Sequence, residues 1–254
     1  MIGQTVDFQC NICGQQNLKV ARERIGRDIS SCAHCYSNVR FRSIVHAVST
    51  FVFGKSTPLT QFPERKDVRG VGLSDADIYA VPFSNAFDYR NTFFHTEPNL
   101  DITAPPEHQW RSCDFVISSD VFEHVEAPVS RAFIGASRML RPGGALILTV
   151  PCGAQPDTRE HFGRLHRYKI VEIDGAYVLV NRLPSGVFEL YQDLVFHGGP
   201  GQTLEMRFFS QSDLIHRLHQ AGFVHVQFLS EDVPEYGIYH GNRVDVPMIA
   251  TVRA

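Results

Sequence analysis

The stretch "CDFVISSDVFEHVEAPVSRAFIGASRMLRPGGALILTVP", residues 113–151, contains a strand, a helix and a second strand in succession. Residues 113–121 are a short apolar run ending in serines and an acid, the pattern of a strand buried on both faces. Val129, Phe133, Ala136 and Leu140 then step by four, three and four, which is one buried face of a helix with Pro128 tolerated in its first turn. "RPGG" (141–144) stops that helix, and "ALILTVP" (145–151) is a continuous apolar strand. Two strands joined by a helix pair in parallel, so this segment predicts an α/β fold with a doubly wound, mostly parallel sheet.

Working outward, Val68–Leu73 predicts an earlier strand and "NTFFHTEP" (91–98) another. Ser210 starts a helix in "SQSDLIHRLHQAGF", which Gly222 is placed to end. "FVHVQFL" (223–229) and "VPMIATV" (246–252) follow with no helical pattern between them, so an antiparallel pair is expected to finish the sheet. The long segment 152–209 interrupts the alternation and contains a predicted hairpin, "AYVLVNRLPSGVFEL". Insertions of this length in a compact domain tend to be lids or substrate platforms. "HGGPG", residues 197–201, surrounds His197 with residues that let backbone approach closely. His161, His166, Arg159, Arg164 and Arg167 cluster in the same insertion.

Four of the six cysteines form Cys10-x2-Cys13 and Cys32-x2-Cys35. Two such pairs bring four soft thiolates to one tetrahedral ion, and a closed four-thiolate site leaves no coordination position for substrate. A structural zinc is therefore expected. Cys113 and Cys152 fall beside apolar strands as packing residues. A helix over residues 36–54 links the zinc module to the main domain, and the polar, proline-bearing stretch 55–67 marks the boundary. The expected organisation is a module with its linking helix over 1–55 and a domain over 66–254 that carries the insertion at 152–209.

Composition is that of an ordinary globular protein, 43% hydrophobic and 20% charged. No apolar run is long enough to span a bilayer, and the first residues lack the regions of a secretory signal, so a cytoplasmic location without membrane association is expected. The net charge of −3 gives no overall pull toward nucleic acid. It is unevenly spread, with a local +4 over residues 1–55 and −7 on the remainder.

"RGVGLSD" (69–75), "EPNLDIT" (97–103), "CDFVISSDVFEHV" (113–125) and "RMLRPGGALILTVP" (138–151) together resemble class I S-adenosylmethionine-dependent methyltransferases of the type 11 group, in that family's order and spacing. "SCAHCYSNVRFRSIVH" (31–46) is similar to the zinc-knuckle segment of a subset associated with modification of surface polysaccharides or other small molecules. The resemblance implies a Rossmann-like fold, an enzyme, and S-adenosylmethionine held at the strand ends. It implies Gly70 and Gly72 as the close-approach loop, with Ser74 in the third-glycine position, and Ser74 or Asp75 either receiving the cofactor's ammonium or holding the turn. It further implies Glu97 on the ribose hydroxyls, Asp101 on the adenine amino group, Ser119 and Asp120 bordering the sulfonium, and Phe122 near the adenine. Arg69 stands where family members often carry an acid.

Asp120, Glu123 and His124 fall at i, i+3 and i+4, a spacing that fits either a divalent cation or a bracing hydrogen-bond network. For a hydroxyl acceptor the enzyme must align the groups and supply a base; the candidates are His197, then His161 and His124. Three functions stay open: O-methylation of a small molecule such as a saccharide or nucleotide-sugar, methylation of RNA bound through the basic module, and a non-catalytic zinc scaffold. Oligomeric state is not fixed by the sequence.

Overall fold

The computed structural model describes residues 4–199, 201–241 and 245–254; Pro200 of "HGGPG" lies outside them. An antiparallel ribbon, β1 (Thr5–Gln9) and β2 (Gln16–Ala21), opens the chain. Helix α1 (Val39–Phe53) follows, with the Asn38 side chain accepting from the Phe41 amide at 2.8 Å and Gly54 closing the helix at φ 70°. The main domain continues as β3 (Arg65–Leu73), α2 (Asp77–Ala86), β4 (Phe87–Thr92), β5 (Cys113–Ser119), α3 (Ser130–Met139) and β6 (Leu140–Thr149). The insertion holds β7 (Cys152–Gly153), β8 (Arg159–Glu160), β9 (Arg167–Ile173), β10 (Ala176–Arg182), β11 (Phe188–Tyr191), β12 (Phe196–His197), β13 (Thr203–Leu204) and β14 (Arg207–Ser210). Helix α4 (Gln211–Gln220), β15 (Phe223–Phe228) and β16 (Met248–Val252) complete the chain.

The six-stranded sheet has the order β15-β16-β6-β5-β3-β4. β6, β5, β3 and β4 are parallel, whereas β16 is antiparallel to both β6 and β15. The final pair is antiparallel as expected, with the last strand slotted inside the sheet and β15 on its edge. Alternate residues of the central strands serve opposite faces. Phe115, Ile117, Ala145 and Ile147 belong to the core beneath α1 and α2, and Val116, Leu146 and Leu148 to the core shared with α3 and α4. Helix α1 therefore covers the sheet as an integral layer, although it follows the cysteines and precedes the proline-rich boundary. No helix among the described residues is long and apolar enough to cross a membrane.

Sequence expectation and structure differ at β4 and α2. The strand expected over 91–98 lies at Phe87–Thr92, because Phe87 and Tyr89 are the residues that fill the core under α2. Helix α2 itself was hidden by Pro82, which it carries internally. The insertion has a small core of its own around Phe162, Leu179, Leu204 and Met206, and β9, β10 and β11 form the predicted hairpin plus one further strand. This layer is packed over the carboxyl ends of β3 and β5, where the site is built.

Candidate active site

Ligands of doubly wound sheets bind beyond the carboxyl ends of the strands, and the largest cavity described lies there, with a volume of about 940 Å³. Leu73 ends β3 and Ser74 follows it, Thr92 ends β4, and Asp120 follows β5; all line it. Both residues just past the strands take left-handed backbone, Ser74 at φ 58° and Asp120 at φ 54°. Each gives its amide to the end of a neighbouring strand: Ser74 N to Thr92 O at 2.7 Å, and Asp120 N to Thr149 O at 2.9 Å. Strained backbone of this kind collects at functional sites.

The far wall is the loop Leu100–Thr103. Gly135 of α3 permits it to press close, since the Ile102 carbonyl occupies the place where a Cβ would stand. Asp101 lines the cavity and shapes the loop by accepting from the Thr103 amide at 2.8 Å and hydroxyl at 2.7 Å. Glu97 is exposed, accepts from the Asn99 amide at 3.0 Å, and stands outside the lining formed here by Phe93–Thr96.

The two glycines expected to approach a cofactor have another use. A Cβ on Gly70 would collide with the Phe115 ring, and one on Gly72 with Tyr89 Oη and Asp75 Oδ2. Asp75 points into the core and accepts from Tyr79 Oη at 2.9 Å and from Tyr89 Oη. Burial pushes its carboxyl up to about 7, against the hydrogen bonds from Tyr89 and Tyr79. Its side chain is thus committed to the two tyrosines rather than to an ammonium in the cavity. Phe122 is likewise turned away: Phe122–His124 form a tight turn that sends the ring into the core, edge-on to Phe133 at 4.9 Å. Its place in the cavity wall is taken by Val121 and Val125.

A second cavity of about 760 Å³ adjoins the first and shares Ser74, Asp120, His197 and Gly198 with it. Its other wall comes from the N-terminal module, which sequence reasoning did not place here. Arg27 donates to both Asp120 oxygens, at 2.6 and 2.9 Å, and Arg40 donates to Ser119 Oγ at 2.6 Å while standing 3.2 Å from Asp120. Thr149 Oγ1 adds a bond to Asp120 at 2.9 Å. Although burial opposes ionisation, Arg27 holds the Asp120 carboxyl below the usual carboxylate range. The only sequence trace of these arginines was the local positive charge.

The histidines at 124, 161 and 197 converge. Glu205 accepts from His161 Nε2 at 2.8 Å and from His197 Nε2 at 3.1 Å, and the His124 and His197 rings stand perpendicular with centroids 4.6 Å apart. His124 Nδ1 donates to Leu204 O at 2.8 Å. Glu123, fully buried, lies between His124 and His197. Burial, followed by the nearby charge of Asp120, pushes its carboxyl well above the usual range. Burial also lowers the basicity of His124. The expected i, i+3, i+4 set is not assembled: Asp120 is claimed by the arginines, and the third partner of Glu123 and His124 is His197. Glu205 had no local sequence pattern to reveal it.

In the N-terminal segment the four cysteine sulfurs lie within 4.8 Å of one another, and no disulfide forms among the described residues. Sulfurs bound at about 2.3 Å around a tetrahedral ion stand roughly 3.8 Å apart. Cys10–Cys35 and Cys13–Cys32 are separated by 3.6 and 3.7 Å, so the set fits one metal ion. Asn17 Nδ2 approaches Cys32 Sγ at 3.5 Å and Ser37 Oγ approaches Cys10 Sγ at 3.3 Å. The fully buried Arg42 guanidinium donates to Ser37 O, Ser31 Oγ and Gly237 O, placing a cation near the thiolates and tying the module to the C-terminal loop.

A family model described as a methyltransferase domain matches residues 59–227, more than half of the chain. No curated protein matches it significantly. Among solved structures, it is similar to the 1,6-didemethyltoxoflavin-N1-methyltransferase of Burkholderia thailandensis (11% identity, 83% of this chain, 77% of that one, TM-score 0.42). It is also similar to the CurJ carbon methyltransferase (13% identity, 86% of this chain, 56% of that one, TM-score 0.48). A third likeness is to the glycopeptide N-methyltransferase MtfA (12% identity, 84% of this chain, 95% of that one, TM-score 0.46). At such values these likenesses carry no argument about substrate. The family match does decide the class: the chain belongs to the methyltransferase-domain family and is an S-adenosylmethionine-dependent methyltransferase.

Proposed function

We propose that the protein methylates a hydroxyl group of a small polar acceptor, such as a saccharide or nucleotide-sugar. The donor supplies a methyl already activated on a sulfonium, so the chain's task is to align the two partners and accept a proton. We place the adenosine against Leu100–Thr103, with Asp101 accepting from the adenine amino group, and the amino-acid tail toward Ser74, Ser119 and Asp120. The acceptor occupies the second cavity.

The observation that carries this reading is the shared wall. Ser74, Asp120, His197 and Gly198 line both cavities, so a methyl in one and an oxygen in the other meet at His197. The proton lost by the acceptor passes into the cluster of His197, His161, His124 and their carboxylates. Charge favours a hydroxyl-rich acceptor over a polyanion. Arg27 and Arg40 are already paired with Asp28 and Asp120, and Arg27 Nε is 3.6 Å from Asp245. Arg42 is buried at the cysteines, so three cations of the basic module are turned inward and away from RNA. The cysteine set is read as a structural zinc site that anchors residues 1–55 against the 66–254 domain.

Methyl transfer to a panel of sugars and nucleotide-sugars, followed by mass spectrometry, tests this. His197→Ala is expected to leave affinity for S-adenosylhomocysteine nearly intact and to lower turnover by roughly 10². Methylation confined to RNA, or unchanged turnover in the variant, would overturn the reading.

A further inference from the structure

Three groups able to accept hydrogen bonds converge beside the cavity with no donor to them among the described residues. Glu123 has no exposed surface, and neither carboxylate oxygen finds a hydrogen-bond donor among the described residues. His124 Nε2 and His197 Nδ1 each stand 3.6 Å from Glu123 Oε1, too far for a hydrogen bond.

The outer hydrogen bonds decide what the two ring nitrogens present. His124 gives its Nδ1 proton to the Leu204 carbonyl, and His197 gives its Nε2 proton to Glu205. In the neutral rings the nitrogens facing Glu123 are therefore lone pairs. Two imine nitrogens and a buried carboxyl group aimed at one another call for a proton or a metal cation between them, and at 3.6 Å no proton is shared.

We propose that Glu123, His124 Nε2 and His197 Nδ1 bind a divalent first-row transition-metal ion. The three ligand atoms lie within 4.8 Å of one another. Nitrogen and oxygen ligands at about 2.0–2.2 Å around a tetrahedral ion stand roughly 3.4 Å apart, close to the 3.6 Å contacts. Two imidazoles with one carboxylate select zinc, iron, cobalt or nickel over magnesium or calcium, which prefer all-oxygen shells. The hydrogen bonds to Leu204 O and Glu205 are of the kind that fix the tautomer of metal-bound histidine. His124 and His197 both line the donor cavity, so positions left open on the ion face the reaction site; with His197 Nδ1 on the ion and its Nε2 bonded to Glu205, the acceptor's proton is left to the Glu205–His161 pair. This ion is distinct from the one expected at the cysteines, and its binding requires neither acceptor nor turnover, so it stands or fails separately from the proposed methylation.

The test is a titration of the full-length protein, its cysteine-bound ion retained, with Co²⁺. One further equivalent per chain is expected to bind, with ligand-field absorption and no thiolate charge-transfer band. Glu123→Gln and His197→Ala are expected to abolish that equivalent. Glu205→Gln, which alters the outer bonds to His197 and His161 but no ligand of the ion, is expected to weaken it about 10–100-fold. S-adenosylhomocysteine binding reports that each variant is folded. An equal concentration of Mg²⁺ is expected not to displace the cobalt. No additional Co²⁺ in the wild-type chain, full binding in folded Glu123→Gln, or ready displacement by Mg²⁺ would each overturn the assignment.

Discussion

Arg27, in the cysteine-bearing segment, grips Asp120, just past the end of β5, through two hydrogen bonds of 2.6 and 2.9 Å. The contact joins residues 93 positions apart and makes the N-terminal segment part of the site wall. Arg27→Met leaves Asp120 with Arg40 as its remaining cationic partner. Both side chains are mostly buried, at 21% and 13% exposure. The variant is expected to lose about 3 kcal/mol in urea unfolding, with part regained in Arg27→Met/Asp120→Asn. An unchanged midpoint would contradict a structural role for the pair.

The cysteine set is expected to hold one zinc through four sulfurs at about 2.3 Å, as seen by X-ray absorption. Because α1 shares the main core, removing that ion by chelation is expected to lower the melting temperature of the whole chain in one transition. Thiols that alkylate freely while the ion stays bound would contradict the assignment.

Asp75 gives a pH dependence of definite sign. Its carboxyl is raised to about 7 when folded, against roughly 3.9 unfolded. The folded state then binds more protons between these values, so the contribution of Asp75 to stability is greatest below about pH 4, falls as pH rises toward 7, and levels off above it. The full span is on the order of 4 kcal/mol. Asp75→Asn keeps the shape beside Tyr79 and Tyr89 and removes the titration. Urea midpoints from pH 5 to 8 are expected to fall less steeply in the variant, and identical slopes would contradict the account of Asp75.

What was legible in the sequence was whatever depends on local periodicity. The spacing of Val129, Phe133 and Ala136 marked a helix face, and the four cysteines marked a cluster, because both patterns repeat within a few residues. Phe122 and Asp75 were misplaced for a common reason. A tight turn rotates one ring inward, and two tyrosines, one on the following helix and one on the adjacent strand, capture the other side chain. Neither partner is visible from the motif. Gly70 and Gly72 were noticed, yet their smallness serves Phe115, Tyr89 and Asp75. The junction of His197 with Glu123 was out of reach, since it depends on how a 58-residue insertion folds back over the strand ends. The inward aim of Arg27 and Arg40 left no trace beyond the local positive charge.

The most direct measurement is a crystal structure of the protein with S-adenosylhomocysteine. Density for the nucleoside is expected between Ser74, Asp101 and Asp120, with the sulfur directed toward His197. Ligand bound elsewhere, or a chain that fails to bind it with that crevice closed by its own side chains, would contradict placement of the donor at the strand ends.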